Sequence, residues 1–167
     1  MNYPSPQFEH KIIQPQDIAT RLYEIKARTP LVFTNGCFDI LHRGHVTYLA
    51  QARELGDSMI VALNSDASVK RQGKGDDRPI NNLENRLAVM ASLEAVSFVT
   101  WFDEDTPLQL ILQIMPDILV KGGDWTPANI VGSREIIANG GEVHSIPFRH
   151  ATSTTKLLNQ VRNSDGN

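Results

Sequence analysis

The chain contains 167 residues, of which 41% are hydrophobic and 21% charged, proportions typical of one globular domain with a full hydrophobic core. A formal net charge of -3 provides no overall attraction to nucleic acid or to an anionic membrane surface. We find no signal peptide and no apolar segment long enough to span a bilayer. The single cysteine, Cys37, cannot form an internal disulfide, which is compatible with a reducing cytosol. We expect a soluble, cytoplasmic protein.

Predicted strands and helices alternate along most of the chain. Residues 1–14 are predicted to form a loose arm, and residues 15–28 a helix because Ile18, Leu22 and Ile25 recur at helical spacing. Residues 68–82 are polar, contain glycine and predict a long mobile loop. Strands are predicted at 31–33, 59–63, 96–101, 117–120 and 142–146, and helices at 44–55, 83–93, 107–115, 130–139 and 153–161.

This alternation is typical of βαβ units and predicts an α/β fold, a Rossmann-like doubly wound parallel sheet in a single domain. Ligands bind such sheets at the carboxyl ends of the strands, near the point where the strand order reverses. We divide the chain into an N-terminal arm and helix (1–29), the α/β domain (30–163) and a frayed tail (164–167).

The strongest chemical signal is the segment 35–45, Asn-Gly-Cys-Phe-Asp-Ile-Leu-His-Arg-Gly-His, which follows the first strand. His42 and His45 flank the expected start of a helix, whose free N–H groups and partial positive charge attract phosphate. Gly44 allows close approach to the backbone, and each imidazole can donate a hydrogen bond to a phosphate oxygen. An isolated motif of this kind is equally compatible with a surface loop, but its place after the first strand favours phosphate binding.

A run of hydroxyl residues, Thr152 to Thr155, precedes the last predicted helix. Such residues most often cap a helix, but four in succession exceed what a cap requires. Ser153, Thr154 and Thr155 are therefore candidates to hold the β- and γ-phosphates of a nucleotide.

The segment 120–125, Val-Lys-Gly-Gly-Asp-Trp, directly follows the fourth strand. Its glycines permit a ligand to approach the backbone, Asp124 can accept a hydrogen bond from a hydroxyl, and Trp125 can pack on a ring. A glycine turn that ends in a core tryptophan is the structural alternative.

The basic segment 70–75 follows the second strand at the same end of the predicted sheet. It can close over phosphates and supply Lys74, or Lys70 as the alternative. Arg86 on the next helix is a weaker candidate for the same anion, and a role as an ordinary surface arginine is at least as compatible with its position.

Together these motifs resemble the HxGH nucleotidyltransferase superfamily, in its cytidylyltransferase-like branch. Within that branch they are most similar to the bacterial D-glycero-β-D-manno-heptose 1-phosphate adenylyltransferases. The similar segments are 34–45, 61–71, 103–107, 116–125 and 153–155. The chain departs from the family at 149–152, where an acidic-glycine-cysteine run is common. In many bacteria this activity is fused to a sugar kinase, and the resemblance implies a stand-alone transferase here.

The resemblance implies that an oxygen of the sugar 1-phosphate attacks the α-phosphorus of ATP in line. The products are ADP-heptose, for the lipopolysaccharide inner core, and pyrophosphate. Because the nucleophile is already anionic, no general base and no covalent enzyme intermediate are expected. Mg²⁺ bound mainly through nucleotide phosphates and a homodimer are implied, with no dedicated metal site.

The resemblance also assigns roles to single residues. The catalytic set is His42, His45 and Lys74. The nucleotide-binding set is Asn35, Gly36, Cys37, Phe38, Gly44, Gly122, Asp124, Trp125, Ser153, Thr154 and Thr155. The substrate-binding set is Asp39, Asn64, Asp66 and Arg86.

Two alternatives remain open from the residues. A sister enzyme would use CTP with glycerol 3-phosphate or another small phosphate. A regulatory domain would bind a nucleotide without catalysis.

Overall fold

The computed structural model describes residues 3–73, 75, 77–150 and 154. Five short segments form the strands: β1 (Leu31–Gly36), β2 (Ser58–Asn64), β3 (Phe98–Phe102), β4 (Ile118–Gly122) and β5 (Glu142–Ile146). The α-helices are α1 (Ile18–Ile25), α2 (Arg43–Arg53), α3 (Asp66–Arg71), α4 (Leu83–Ala91), α5 (Leu108–Ile114) and α6 (Ser133–Ala138). Short 3₁₀ helices occupy Gln7–Lys11, Pro15–Asp17 and Pro127–Asn129.

All five strands are parallel and lie in the order β3-β2-β1-β4-β5. The predicted α/β class and doubly wound parallel sheet are therefore confirmed. The chain builds β1, β2 and β3 in one direction across the sheet and then returns to place β4 on the other side of β1. The order thus reverses between β1 and β4, where ligands bind in sheets of this kind.

Helices cover both faces of the sheet. In β1, Val32 belongs to the core shared with α2 and α4, whereas Phe33 belongs to the core shared with α1, α5 and α6. All of β2 is buried. A strand covered on both faces has no solvent side, which explains why these strands appear in the sequence as continuous apolar runs.

The N-terminal segment is part of the fold, and the expectation of a loose arm is wrong for residues 7–13. Ile12 pairs with Val99 of β3 in an isolated parallel bridge, and the Ile13 amide donates to the Val99 carbonyl over 2.8 Å. The Ile13 side chain is fully buried, and the Lys11 ammonium donates to the Leu93 carbonyl. β3 is the edge of the sheet, so the segment satisfies backbone groups that would otherwise be open.

The predicted loop at 68–82 is also corrected, because its first part belongs to α3. The Ser65 hydroxyl caps this helix by accepting from the Ser68 amide over 3.0 Å. At six residues the helix is too short to give a readable apolar period. Among the helices formed by described residues, none is long and apolar enough to cross a membrane.

We expect Ile13→Ala to lower the free energy of unfolding by about 2–5 kcal/mol, the usual cost of truncating a buried isoleucine. Ile137→Ala is the matched control, because Ile137 is 57% exposed, and it should change stability by at most about 0.5 kcal/mol. Urea titration measures both. Equal, small effects would show that residues 7–13 do not contribute to the core.

Candidate active site

Two neighbouring cavities open at the carboxyl ends of the strands, with volumes of about 460 Å³ and 390 Å³. They share a wall formed by Asn35, Gly36, Cys37, Lys121 and Gly122, at the ends of β1 and β4. The first cavity is also lined by Phe38, Asp39, His42, His45, Arg78 and Thr154. The second is also lined by Asn64, Gln72, Asp105, Thr106, Trp125 and Asn129.

His42 caps the helix α2 as well as facing the first cavity. Its Nδ1 accepts a hydrogen bond from the Gly44 amide at 3.1 Å, which places the proton of the neutral ring on Nε2. Burial lowers the pKa of His42, because charging a partly desolvated ring is unfavourable. At neutral pH the ring is therefore an uncharged hydrogen-bond donor through Nε2.

His45 lies one helical turn further along and stacks on His42, with ring centroids 3.9 Å apart and an interplanar angle of 26°. Phe38 and Phe148 meet the His45 ring edge-on, at centroid distances of 5.4 Å and 6.2 Å. The structure thus brings together the two histidines that the motif identified.

Asp39 also lines the first cavity, but its carboxylate is engaged by the protein itself. It accepts from the Arg78 guanidinium at 2.5 Å and from the amides of Ile80 and Asn81 at 3.0 Å and 2.8 Å. Burial alone would raise the pKa of Asp39, but these hydrogen bonds and the Arg78 charge outweigh it and lower the pKa. The sequence placed this side chain against the substrate, whereas in the structure it fastens the segment 78–81 to the histidine loop.

Arg86 is not a surface arginine, since its side chain is fully buried. It donates to Asp66 at 2.7 Å and to the carbonyls of Cys37 and Asn64, both at 2.8 Å. Neither Arg86 nor Asp66 lines the two cavities. Through these contacts Arg86 joins the ends of β1 and β2.

The segment 120–125, which was expected to contact the nucleotide, also contacts other parts of the protein. A Cβ at Gly122 would lie 2.7 Å from the Phe148 ring, so the missing side chain accommodates that ring. Trp125 is half exposed, donates from Nε1 to the Gly122 carbonyl at 3.1 Å, and lines the second cavity. Asp124 is exposed and lines neither cavity.

Three predicted site residues, Lys74, Ser153 and Thr155, lie outside the described residues. Thr154 is described: its hydroxyl donates to the Ile40 carbonyl at 3.3 Å and lines the first cavity. Lys70, the alternative to Lys74, is exposed on α3 and lines neither cavity.

Sequence reasoning did not assign four residues that line the first cavity: Tyr48, Arg78, Lys121 and Phe148. Arg78 stands in the segment taken for a mobile loop, and its burial depends on the partner Asp39, 39 positions away. Phe148 follows β5 at a position without periodicity. A residue pair of such separation leaves no local pattern, so tertiary contacts alone reveal it.

A family model described as cytidylyltransferase-like matches residues 33–159. The chain belongs to the cytidylyltransferase-like family. The predicted family and the enzyme class, a nucleotidyltransferase, are thereby confirmed.

Similar curated proteins carry the name "Bifunctional protein HldE". The protein from Haemophilus influenzae strain PittEE is 51% identical over 158 residues, which cover 94% of this chain and 33% of that protein. The protein from Pectobacterium atrosepticum is 58% identical over 134 residues, 80% of this chain and 28% of that protein. The chain therefore spans about a third of the length of these relatives.

Solved structures also resemble the fold. The lipopolysaccharide core biosynthesis protein from Thermoplasma volcanium superposes with a TM-score of 0.60 at 28% identity, covering 73% of this chain and 98% of that chain. A pantoate-beta-alanine ligase from Francisella tularensis gives a TM-score of 0.56 at 14% identity, covering 81% of this chain and 66% of its own. The second similarity supports the fold alone.

We expect Asp39→Asn to cost about 3–5 kcal/mol of stability at neutral pH, because it leaves the Arg78 charge buried without its partner. Glu24→Gln, which breaks the exposed Arg21–Glu24 pair, is the control and should cost at most about 1 kcal/mol. The Asp39 contribution requires the carboxylate, so the difference from wild type should shrink as pH falls below about 4. Urea unfolding between pH 7 and pH 3 measures this, and a constant difference would contradict the assignment.

The two functions of His42 can be separated by substitution. In His42→Asn the amide oxygen can still cap the helix, whereas His42→Ala removes both the cap and the Nε2 donor, and losing the cap costs about 1 kcal/mol. We expect both variants to lose nucleotidyl transfer, but only the alanine variant to lose stability. Thermal unfolding and pyrophosphate release measure the two effects. Full activity in His42→Asn would restrict His42 to capping.

Proposed function

We propose that the chain transfers AMP from ATP to D-glycero-β-D-manno-heptose 1-phosphate, giving ADP-heptose for the lipopolysaccharide inner core and pyrophosphate. The observation that carries this proposal is the stacked His42–His45 pair, which opens into one of two cavities with a common wall. A reaction that joins two phosphorylated substrates needs a place for each, and two adjoining cavities provide them. The 51% identity to a bifunctional HldE protein and the similarity to a lipopolysaccharide core biosynthesis protein support the choice of sugar.

The first cavity is proposed to hold the triphosphate. Neutral His42 donates through Nε2 and His45 donates from the first turn of α2, while Arg78, held by Asp39, lines the same cavity. Thr154 and the neighbouring Ser153 and Thr155 are proposed to hold the departing pyrophosphate, and Lys74 is proposed to reach the phosphates. Donors that are fixed before the reaction stabilise developing charge without paying for reorganisation.

The second cavity is proposed to hold the sugar 1-phosphate. Its lining combines the amides of Asn64, Gln72 and Asn129 with the carboxylate of Asp105 and the half-exposed ring of Trp125. Amides and carboxylates form hydrogen bonds with hydroxyl groups, and an aromatic face packs on the apolar face of a sugar ring. Trp125 is therefore proposed to contact the sugar and not the nucleotide base.

The chemistry is proposed to be direct in-line displacement at the α-phosphorus. The sugar phosphate is already an anion, so the chain needs no general base and Cys37 is not a nucleophile. Its residues align the reactants and neutralise charge in the transition state.

Mg²⁺ is proposed as the cofactor, bound mainly through nucleotide phosphates and water, where it neutralises charge on the triphosphate. The donor set fits this mode, because the carboxylate of Asp39 in the first cavity is already engaged by Arg78 and two amides. A homodimer and a cytoplasmic location complete the proposal; both rest on the resemblance to the family.

The test is pyrophosphate release from purified protein with heptose 1-phosphate and Mg²⁺, comparing ATP with CTP. We expect release with ATP alone, and His45→Ala should reduce turnover by about 100-fold or more, the effect of removing one transition-state donor. Release with CTP would overturn the nucleotide assignment. Release with neither nucleotide would overturn the proposed substrate pair.

A further inference from the structure

Two anions must meet in the proposed reaction, and their mutual repulsion opposes the encounter. A phosphate monoester approaches a triphosphate, and both carry negative charge at neutral pH. A positive group between them lowers this barrier most when it touches both. The structure contains a side chain at the required place, on the wall that the two cavities share.

Of the described residues that line both cavities, Lys121 is the one that carries a positive charge. It belongs to β4, which pairs with β1 where the strand order reverses. The other shared residues are Asn35, Gly36, Cys37 and Gly122, none of which bears a formal positive charge.

The ammonium of Lys121 is held in place by the neighbouring strand. Its Nζ donates to the backbone carbonyl and to the side-chain Oδ1 of Asn35, each at 3.2 Å. Asn35 is the penultimate residue of β1, so these hydrogen bonds tie the ammonium to the end of that strand. A flexible lysine is thereby held at the boundary between the compartments.

We propose that Lys121 is a catalytic residue that contacts the α-phosphate of the nucleotide and the phosphate of the acceptor together. This inference rests on the proposed function, since it assigns one reactant to each cavity. In the reaction, an acceptor phosphate oxygen forms a bond to the α-phosphorus. The bond from the α-phosphorus to the α–β bridging oxygen breaks, and its electron pair leaves with pyrophosphate. Lys121 transfers no proton and remains an ammonium throughout.

The test compares Lys121→Met, Lys121→Gln and Lys121→Arg with wild type, and uses Lys26→Met as the matched control. Lys26 follows the last residue of α1 and lines neither cavity. Lys121→Gln keeps a hydrogen-bond donor for Asn35 but removes the charge, so it decides the outcome if the methionine variant does not fold. Thermal unfolding establishes which variants are folded.

We expect kcat to fall about 100-fold or more in Lys121→Met and Lys121→Gln. Lys121→Arg should retain part of the wild-type kcat, and Lys26→Met should match wild type. Binding of the unreactive α,β-methylene-ATP and of heptose 1-phosphate is measured separately by calorimetry. Each should weaken about tenfold or more in the variants without charge, because a charged hydrogen bond to each anion is lost.

The binding data keep this inference separate from the proposed function. If wild type releases no pyrophosphate, the proposed reaction fails, and the two affinities still decide whether Lys121 contacts both anions. If the variants without charge bind only one of the two ligands more weakly, or neither, the bridging role is overturned. With an active wild type, kcat within about threefold of wild type in a folded charge-free variant would also overturn it.

Discussion

The placement of β1 between β2 and β4 is the constraint on which the site depends. After β1 the chain crosses to the face that carries α2, and after β4 it crosses to the face that carries α6. Because the two connections diverge, the carboxyl ends of these strands are left open to ligands. Both cavities lie there and share the last residues of β1 and β4 as their wall.

Buried ion pairs then fix the loops that leave the strands. Asp39 holds the segment 78–81 against the histidine loop, and Arg86 joins the ends of β1 and β2 through backbone carbonyls. A buried pair of this kind contributes little net stability over an apolar alternative, but breaking it is costly. Such pairs suit a site in which position matters more than stability, because phosphoryl transfer depends on alignment of the reactants.

The histidine pair illustrates how one local arrangement serves structure and chemistry together. His42 begins α2 with its Nδ1, which leaves Nε2 as the donor, and its ring stacks on that of His45. Phe38, whose backbone lies in the left-handed region at φ 44°, contacts the edge of His45. Strained backbone of this kind persists where surrounding contacts determine it, and it is common at functional sites.

The sequence by itself determined the α/β class, the five parallel strands and the family, because hydrophobic periodicity and the histidine motif are local signals. It also located His42 and His45, whose spacing along the start of a helix defines their geometry. Only the tertiary structure decided which side chains face the cavities: Asp39 and Arg86 proved to bind other parts of the chain, and Arg78, Phe148 and Lys121 line the first cavity. Residues 7–13 likewise gained a role only from the open edge of β3. These contacts join residues far apart in sequence, and the free energy of burying them depends on partners that no local pattern specifies.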